Sequence, residues 1–443
     1  MRGITKIMRI GVGVAMAVAV AAMLTVVVTP VGDAGGSAPG MVAGAPDDGA
    51  GSSLSATGTE FVSASGGASP AGISSAWIAD RLADASKALA SLNGAEGGAA
   101  LVRTVVGGKP LFCDTPSRIV DDRLLIPVRP VAEAFGLKVE WDDASKKAMI
   151  SSEAASAVFK IGSRAALIDG VRAELPVAPA LVGDAALAPA AIIAAFAEVE
   201  WDADGRVVSV GGAPPETDEA RGGAGPIRVL MYHEIGDGPS TLFVREREFE
   251  AQMRFLYENG YDVISMDDAL KVLKGEKSVK NGVVITFDDG YASFFGSAWG
   301  VLKKYGFPAT VYAISASVGS EGKYLSWDEM RFLEANWMDV GSHSASHSSL
   351  SDMDAGELAK EIGGSKAAIE SETDYPCNHF CYPGGFYSDA AVAAVREAGY
   401  ESAVTIRSGK ADASSDIYRL PRLFIRRGVS EERFAKILRT GIT

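Results

Sequence analysis

The sequence predicts an α/β protein in which a mostly parallel, open or closed sheet follows a smaller α+β domain. Short apolar strands alternate with helices throughout residues 227–443, and this alternation is typical of parallel α/β folds. An internal repeat in residues 101–213 predicts the smaller domain. Gly-, Ser- and Pro-rich segments lie within residues 35–100 and 214–226 and predict linkers. With 443 residues, the chain has room for these parts.

Composition excludes several classes of protein. The formal net charge is −14, from 42 Lys and Arg against 56 Asp and Glu, which argues against a nucleic-acid partner. Three cysteines are too few for a disulfide scaffold or a Cys-rich zinc module. The four histidines are the only candidates for imidazole chemistry. They are His233, His343, His347 and His379.

The N-terminal segment predicts export. Arg2, Lys6 and Arg9 precede an uncharged apolar run over residues 10–28. Residues 1–34 are therefore expected to form a signal peptide or an uncleaved membrane anchor. The protein would then be extracellular, either secreted or tethered at the outer face of the cytoplasmic membrane. Residues 35–100 predict a flexible linker with one short amphipathic helix over residues 75–92.

The repeat links residues 124–150 with residues 186–210. The tetrapeptide Val-Glu-Trp-Asp occurs at 139–142 and again at 199–202. Each unit predicts a strand, a Pro, a short helix and a hairpin, and the two units would stack into one domain. The region resembles the copper amine oxidase N-terminal-like domain, although it contains no histidine and the resemblance does not imply copper. A module for binding or presentation and a structural spacer remain alternatives.

Polar residues follow two predicted strands of the larger domain. Asp288 and Asp289 come after the strand at 283–287, and His343 and His347 come after the strand at 338–342. In α/β folds, ligands bind at the carboxyl ends of the strands. Histidines four apart on a helical turn would face the same way and could chelate one ion. With one Asp they would form a set suited to zinc or a similar divalent ion.

These residues carry a resemblance to a known family. The run Thr-Phe-Asp-Asp-Gly at 286–290, followed by His343 and His347, resembles the NodB-homology polysaccharide deacetylases of carbohydrate esterase family 4. The segment Met-Tyr-His-Glu-Ile at 231–235 is similar to a permuted branch acting on exopolysaccharide or cell-wall glycans. The resemblance implies a distorted (β/α) barrel over residues 227–443. It also implies metal-dependent removal of acetyl groups, with Asp289, His343 and His347 as ligands and Asp288 as general base.

Other site residues follow from the same resemblance. His233 is the expected general acid, with His379 as competitor, although a core or surface role is favoured for His379. The third motif of the family corresponds here to residues 381–385. The arginine that many members carry in it is missing, and Arg422 is a hypothetical substitute that would tune the base. The motif itself provides four expected substrate-binding residues, whose glycines let backbone approach a ligand. They are Tyr382, Pro383, Gly384 and Gly385.

The sequence predicts the class of metal ion and the class of substrate, but not one member of either class. Zinc is the expected ion, and cobalt, nickel or manganese would suit one Asp and two His nearly as well. Peptidoglycan, poly-N-acetylglucosamine and chitin-like glycans all present the acetamido group. The alternatives are a catalytically inactive glycan-binding or wall-adhesion protein, and a cytoplasmic hydrolase of small N-acyl compounds, which the export segment opposes.

Overall fold

The structure, a computed structural model, describes residues 100–202, 206–212 and 225–443. The expected signal or anchor and the helix expected over residues 75–92 lie outside these ranges. Within the described ranges, no helix combines the length and apolar character needed to cross a bilayer.

The N-terminal domain is built mainly from β-strands. Its first sheet has the order β10–β11–β4–β3–β1–β13–β12, with β2 paired to β1, and its second is the antiparallel series β5–β6–β7–β8–β9. The strands are β1 Ala100–Val106, β2 Lys109–Pro110, β3 Ser117–Val120, β4 Arg123–Pro127, β5 Lys138–Asp142, β6 Lys147–Ser151, β7 Ser156–Lys160, β8 Ala165–Ile168, β9 Val171–Glu174, β10 Ala180–Val182, β11 Ala185–Pro189, β12 Val199–Asp202 and β13 Val207–Val210.

The internal repeat is visible in this domain. In the first unit β4 leads through the helix Val128–Ala134 to the hairpin β5–β6, and in the second β11 leads through the 3-10 helix Ala190–Ala195 to β12–β13. Strands β4 and β11 pair antiparallel, so the two units meet at equivalent strands. Each of these strands ends in a Pro, whose missing N–H suits the last strand residue before a helix. Strands β7–β10 were not expected from the repeat.

The larger domain is a closed parallel barrel, which confirms the expected fold. The order β14–β18–β19–β20–β21–β22–β23 closes because β14 pairs with both β18 and β23, while β17 pairs with the start of β18. Fully buried apolar runs such as β18 are typical of parallel sheets covered on both faces. The strands are β14 Arg228–Tyr232, β15 Glu234–Ile235, β16 Phe243–Val244, β17 Asp262–Val263, β18 Gly282–Phe287, β19 Ala309–Ala313, β20 Met338–Ser342, β21 His379–Cys381, β22 Ser402–Ser408 and β23 Leu420–Phe424.

Helices surround the barrel and depart from expectation in two places. The alternation of strands and helices predicts one continuous helix over residues 355–371, but the structure divides it into Ala355–Leu358, a π-helical segment Ala359–Gly364 and Ser365–Thr373. The last helix, Glu431–Thr440, and strand β22 were not predicted. The other α-helical and π-helical segments are Glu246–Glu258, Met266–Leu273, the π-helical Phe294–Ala298, Trp299–Tyr305, Trp327–Ala335 and Asp389–Glu397.

The two domains share a polar interface. The Arg103 side chain on β1 donates from Nε to the Glu334 carbonyl oxygen at 2.9 Å and from Nη2 to the Glu334 carboxylate. It also donates to Asp339 Oδ1 at 3.1 Å. Trp337 Nε1 donates to the Thr104 carbonyl oxygen at 3.0 Å. Because Asp339 is the second residue of β20, the N-terminal domain contacts the amino end of that strand, away from the carboxyl ends.

Candidate metal centre and active site

The loops after β18 and β20 bring together three side chains that could hold a metal ion. Asp289 Oδ1 lies 3.5 Å from His343 Nε2 and 3.4 Å from His347 Nε2. The ligand atoms of all three lie within 4.8 Å of one another. Asp289 and His343 are buried, whereas 40% of the His347 side chain is exposed. The cluster therefore lies at the edge of the barrel, where solvent and a ligand can reach it.

The backbone at this cluster differs from the sequence-based expectation. Residues 343–347 form no helical turn, so that expectation is wrong. Ser344 and His347 have φ of 63° and 62°, and Asp289 has φ of 72°, a left-handed region that non-glycine residues rarely adopt. Ser344 Oγ accepts a hydrogen bond from His347 N at 3.0 Å and supports the turn. Left-handed turns, and not helical spacing, bring the two imidazoles together.

The tautomer of His343 suits metal binding. Its Nδ1 lies 2.8 Å from the Cys381 carbonyl oxygen, which can only accept, so Nδ1 carries the proton and Nε2 keeps its lone pair. Burial lowers the pKa of His343, which favours the neutral ring that a metal ligand must be. Such a backbone partner is the usual outer support of a ligating histidine. Two imidazole nitrogens and a carboxylate oxygen therefore fit a divalent ion such as zinc.

Asp288 is buried against an arginine. Arg422 donates from Nη1 to Asp288 Oδ1 at 2.6 Å and from Nη2 to Oδ2 at 2.7 Å. Its Nε donates to the Thr405 carbonyl oxygen at 2.9 Å, and Nη2 lies 3.1 Å from Cys381 Sγ. Burial alone would raise the pKa of Asp288, but the charge and hydrogen bonds of Arg422 hold that pKa well below its ordinary value. The carboxylate is thus ionised although it is removed from water.

The two candidate general acids occupy different places. His233 directly follows β14, and Tyr232 pairs with Phe287, so His233 and Asp288 are the next residues on neighbouring strands. Among the described residues, the buried Nδ1 of His233 has no hydrogen-bond partner. His379 begins β21, where Asp267 Oδ1 lies 2.9 Å from its Nε2 and Ser402 Oγ lies 3.0 Å from its Nδ1. The structure therefore brings His233, and not His379, beside Asp288.

The third motif provides fewer exposed groups than expected. Tyr382 is buried, and its hydroxyl donates to the Tyr418 carbonyl oxygen at 3.1 Å. Pro383 is also buried, so neither side chain is exposed in this structure, and the substrate-binding role expected of these two residues stays a prediction. Gly384 and Gly385 reach the surface and remain candidates. Gly385 has φ of 74°, and a Cβ there would lie 2.4 Å from the Ile406 side chain, which explains the glycine.

Sequence reasoning missed several aromatic residues near the site. Phe386 follows the two glycines and is 62% exposed. Tyr291 follows the Asp-Asp-Gly run, and its ring stacks on that of Tyr324 with centroids 5.3 Å apart. Lys323 Nζ lies 5.1 Å from the Tyr291 ring centroid. The sequence did contain a signal for Tyr291 and Phe386, since each directly follows a glycine-containing motif of the site.

Comparisons with known proteins agree with this geometry. The sequence profile of the family described as "Polysaccharide deacetylase" matches residues 275–403. That of the family described as "Copper amine oxidase N-terminal domain" matches residues 105–210. A Bacillus subtilis (strain 168) protein named "Putative polysaccharide deacetylase YxkH" is 32% identical over 207 residues, covering 46% of this chain and 74% of the relative.

A second relative and a solved structure extend the comparison. The poly-beta-1,6-N-acetyl-D-glucosamine N-deacetylase of Staphylococcus epidermidis is 26% identical over 199 residues, covering 41% of this chain and 68% of the relative. The structure of Streptococcus pyogenes deacetylase PplD in complex with acetate has a TM-score of 0.47 and 25% identity. It covers 48% of this chain and 99% of that chain.

Proposed function

The chain belongs to the polysaccharide deacetylase family, and we propose that it removes N-acetyl groups from an extracellular or cell-wall polysaccharide with the help of one divalent metal ion. The observation that carries the proposal is the convergence of Asp289, His343 and His347 beside the ionised Asp288. A metal-binding set next to a carboxylate held ionised by Arg422 is suited to hydrolysis of an amide.

The residues divide the reaction among them. Asp289, His343 and His347 would hold the ion, with zinc as the first choice and cobalt, nickel or manganese as substitutes. When bound, the ion polarises the amide carbonyl and acidifies water. Asp288 takes the proton from the water whose oxygen bonds to the acetyl carbon. His233 gives a proton to the sugar nitrogen as its bond to the acetyl carbon breaks, and acetate leaves.

Arg422 and the third motif have supporting roles in this proposal. Arg422 keeps Asp288 ionised, and therefore able to accept a proton, because its guanidinium pairs with both carboxylate oxygens. Gly384 and Gly385 present backbone without side chains beside the loop, which allows a bulky sugar to approach. Phe386 adds an exposed ring on which a sugar could pack.

The substrate is proposed as a class. Peptidoglycan, poly-N-acetylglucosamine and chitin-like glycans share the acetamido group, and the Staphylococcus epidermidis relative makes poly-β-1,6-N-acetylglucosamine the first glycan to test. The working place is proposed to be outside the cytoplasm. Support comes from the three cations followed by the apolar run over residues 10–28, which would export the chain or tether it to the membrane.

Acetate release from a panel of these glycans tests the proposal. We expect release with added zinc and none after chelation. Asp288→Asn keeps the side-chain shape, and we expect it to lower the rate by about 10²–10⁴-fold with bound metal unchanged. No release from any glycan by the metal-loaded chain would contradict the proposal. If glycans still bound, the inactive glycan-binding alternative would replace it.

A further inference from the structure

We propose that a groove in the N-terminal domain binds a second stretch of the same N-acetylated glycan. The nature of the ligand rests on the proposed function, but the groove itself is separate from the metal centre. It has a volume of about 620 Å³ and lies between the helix Val128–Ala134, the β5–β6 hairpin and residues 181–186. Its polar and aromatic lining includes Trp141, Arg129, Asp143, Lys146 and Asp184.

Trp141 provides a fixed aromatic surface in this groove. It lies on β5, packs on the domain core and is only partly buried. Its Nε1 lies 3.3 Å from Asp143 Oδ1, and that oxygen also accepts from Lys146 Nζ at 2.7 Å, so the ring orientation is constrained. The residue opposite on β6 is Ala148, which also lines the groove and leaves room beside the indole. The ring is therefore available to a flat ligand.

The second repeat shows that this arrangement is not required by the fold. Trp201 occupies the equivalent position in the repeat, but its partner across the hairpin is Val208. Its Nε1 is buried and has no hydrogen-bond partner among the described residues. Only Trp141 of the repeated pair lines this groove. The two positions thus carry the same residue in different environments.

The lining matches an uncharged sugar better than an ion. Charges of both signs are present, and several are paired with each other, as Lys146 is with Asp143 and Arg129 with Glu133. Apolar surface from Val139 and Leu181 lies beside them. Ligand sites of this kind combine an apolar wall with a few orienting polar groups. A pyranose ring offers a C–H face for the indole, and hydroxyl and acetamido groups for the charged side chains.

The groove would affect the reaction only if its ligand is a polymer that also reaches the metal centre. One wall is held to the barrel, because Asp114 pairs with Lys303 and Cys113 N donates to Asn336 Oδ1 at 2.8 Å. A long glycan bound in the groove would raise the effective concentration of its own acetamido groups at the metal centre. Because the N-terminal domain contacts the amino end of β20 and His343 follows its carboxyl end, a short oligomer is not expected to occupy both places. The groove should therefore lower the KM for polymers and leave the KM for short oligomers unchanged.

Kinetics and binding of the full chain test this proposal. We expect Trp141→Ala to raise the KM for long-chain poly-β-1,6-N-acetylglucosamine about tenfold, the loss of one aromatic anchor, with kcat unchanged. Kinetics on the N-acetylglucosamine trimer should not change. The matched control is Leu167→Ala, since Leu167 is 45% exposed on β8 of the same sheet and does not line the groove. The double variant Arg129→Ala/Asp184→Ala, called the rim variant, alters two charged residues of the groove lining. It is measured in the same way and replaces Trp141→Ala if that variant fails to fold.

Binding separates this proposal from the proposed function. With chelator present, retention on immobilised poly-β-1,6-N-acetylglucosamine, peptidoglycan and chitin should fall for Trp141→Ala and for the rim variant, but not for Leu167→Ala. If the metal-loaded chain releases no acetate but the variants show these changes in binding, only the deacetylase proposal is contradicted. Folded variants that bind all three glycans as tightly as the unaltered chain overturn the groove proposal, whether or not acetate is released.

Discussion

The guanidinium of Arg422 donates a hydrogen bond to each carboxylate oxygen of Asp288, although the two residues are 134 positions apart in the sequence. Neither side chain is more than 4% exposed. Arg422 lies on β23, and Asp288 directly follows β18. Strand β14 lies between these two strands, so the arginine reaches the carboxylate within the barrel. Two parallel N–H donors match a carboxylate better than an ammonium does.

Replacing this arginine should change the pH dependence of the enzyme. Arg422→Met removes the charge that lowers the pKa of Asp288, so the carboxyl would be protonated at higher pH. We expect the acidic limb of kcat/KM to move to higher pH, with the largest loss of rate in acid. The unpaired buried carboxylate should also cost about 3–5 kcal/mol of stability. Arg422→Lys is the control that keeps the charge, and an unaltered rate and pH profile in Arg422→Met would refute the idea.

Metal removal should affect both activity and stability. A ligand present at 100 times its Kd stabilises a folded protein by about 2.7 kcal/mol, so chelation should lower the Tm as well as stop acetate release. His347→Ala removes the most exposed of the three proposed ligands and should weaken metal binding with little change in the apo-protein. Metal content, Tm and acetate release are the measurements. Equal Tm and equal rate with and without chelator would contradict a metal centre here.

The exposed ring of Phe386 should matter for substrate binding only. Because 62% of the residue is exposed, Phe386→Ala should change the Tm by less than about 2 °C. Loss of a surface on which a sugar packs should raise KM several-fold with kcat nearly unchanged. Tyr257→Ala is a suitable control, since Tyr257 is 64% exposed on the helix Glu246–Glu258. Equal KM values for the two variants would remove Phe386 from the substrate site.

The domain interface should make stability depend on pH. Burial raises the pKa of Glu334 above its ordinary value, against the opposing charge of Arg103. An acid whose pKa is raised on folding contributes stability that is fully present below its unfolded pKa of about 4.3 and is lost as the pH rises through its higher folded-state pKa. We therefore expect the free energy of unfolding to fall across this window by at most about 1.4 kcal/mol per pH unit.

Glu334→Gln isolates that contribution. The amide keeps the shape of the side chain and can still accept from Val340 N, which lies 2.7 Å from Glu334 Oε1. Urea unfolding of both proteins in chelator at pH 5, 7 and 8.5 would measure the effect. The variant should show a flatter pH dependence than the unaltered chain. Parallel curves would mean that Glu334 does not titrate in this range.

Much of the barrel and of the candidate metal cluster could be predicted because the relevant signals are local. Strands β18 and β20 are apolar runs, and Asp288, Asp289 and His343 follow them directly. The placement of these side chains then follows from the common direction of parallel strands. The turn that brings His347 back depends on left-handed backbone at Ser344, for which spacing in the sequence provides no signal.

Other features depended on partners distant in sequence. Strand β23 contains Pro421 and Arg422, which are unusual in a buried parallel strand, so its local pattern is only a weak strand signal. The pairing of Arg422 with Asp288 was only a hypothesis, since nothing local to either residue predicts it. Tyr382 seemed suited to a ligand by its place in a glycine-containing motif, but it packs against Tyr387 with ring centroids 4.2 Å apart.

The ion pairs of Arg103 with Glu334 and Asp339 join the two domains, and they affect how the domains could be separated during evolution. A barrel transplanted without its N-terminal neighbour would be left with two acids and no cation to satisfy them. Loss of the N-terminal domain at this junction would remove the Arg103 cation and expose the surface that it covers, so the two ion pairs favour keeping both parts together. We therefore expect the N-terminal domain and the barrel to be inherited together as one unit.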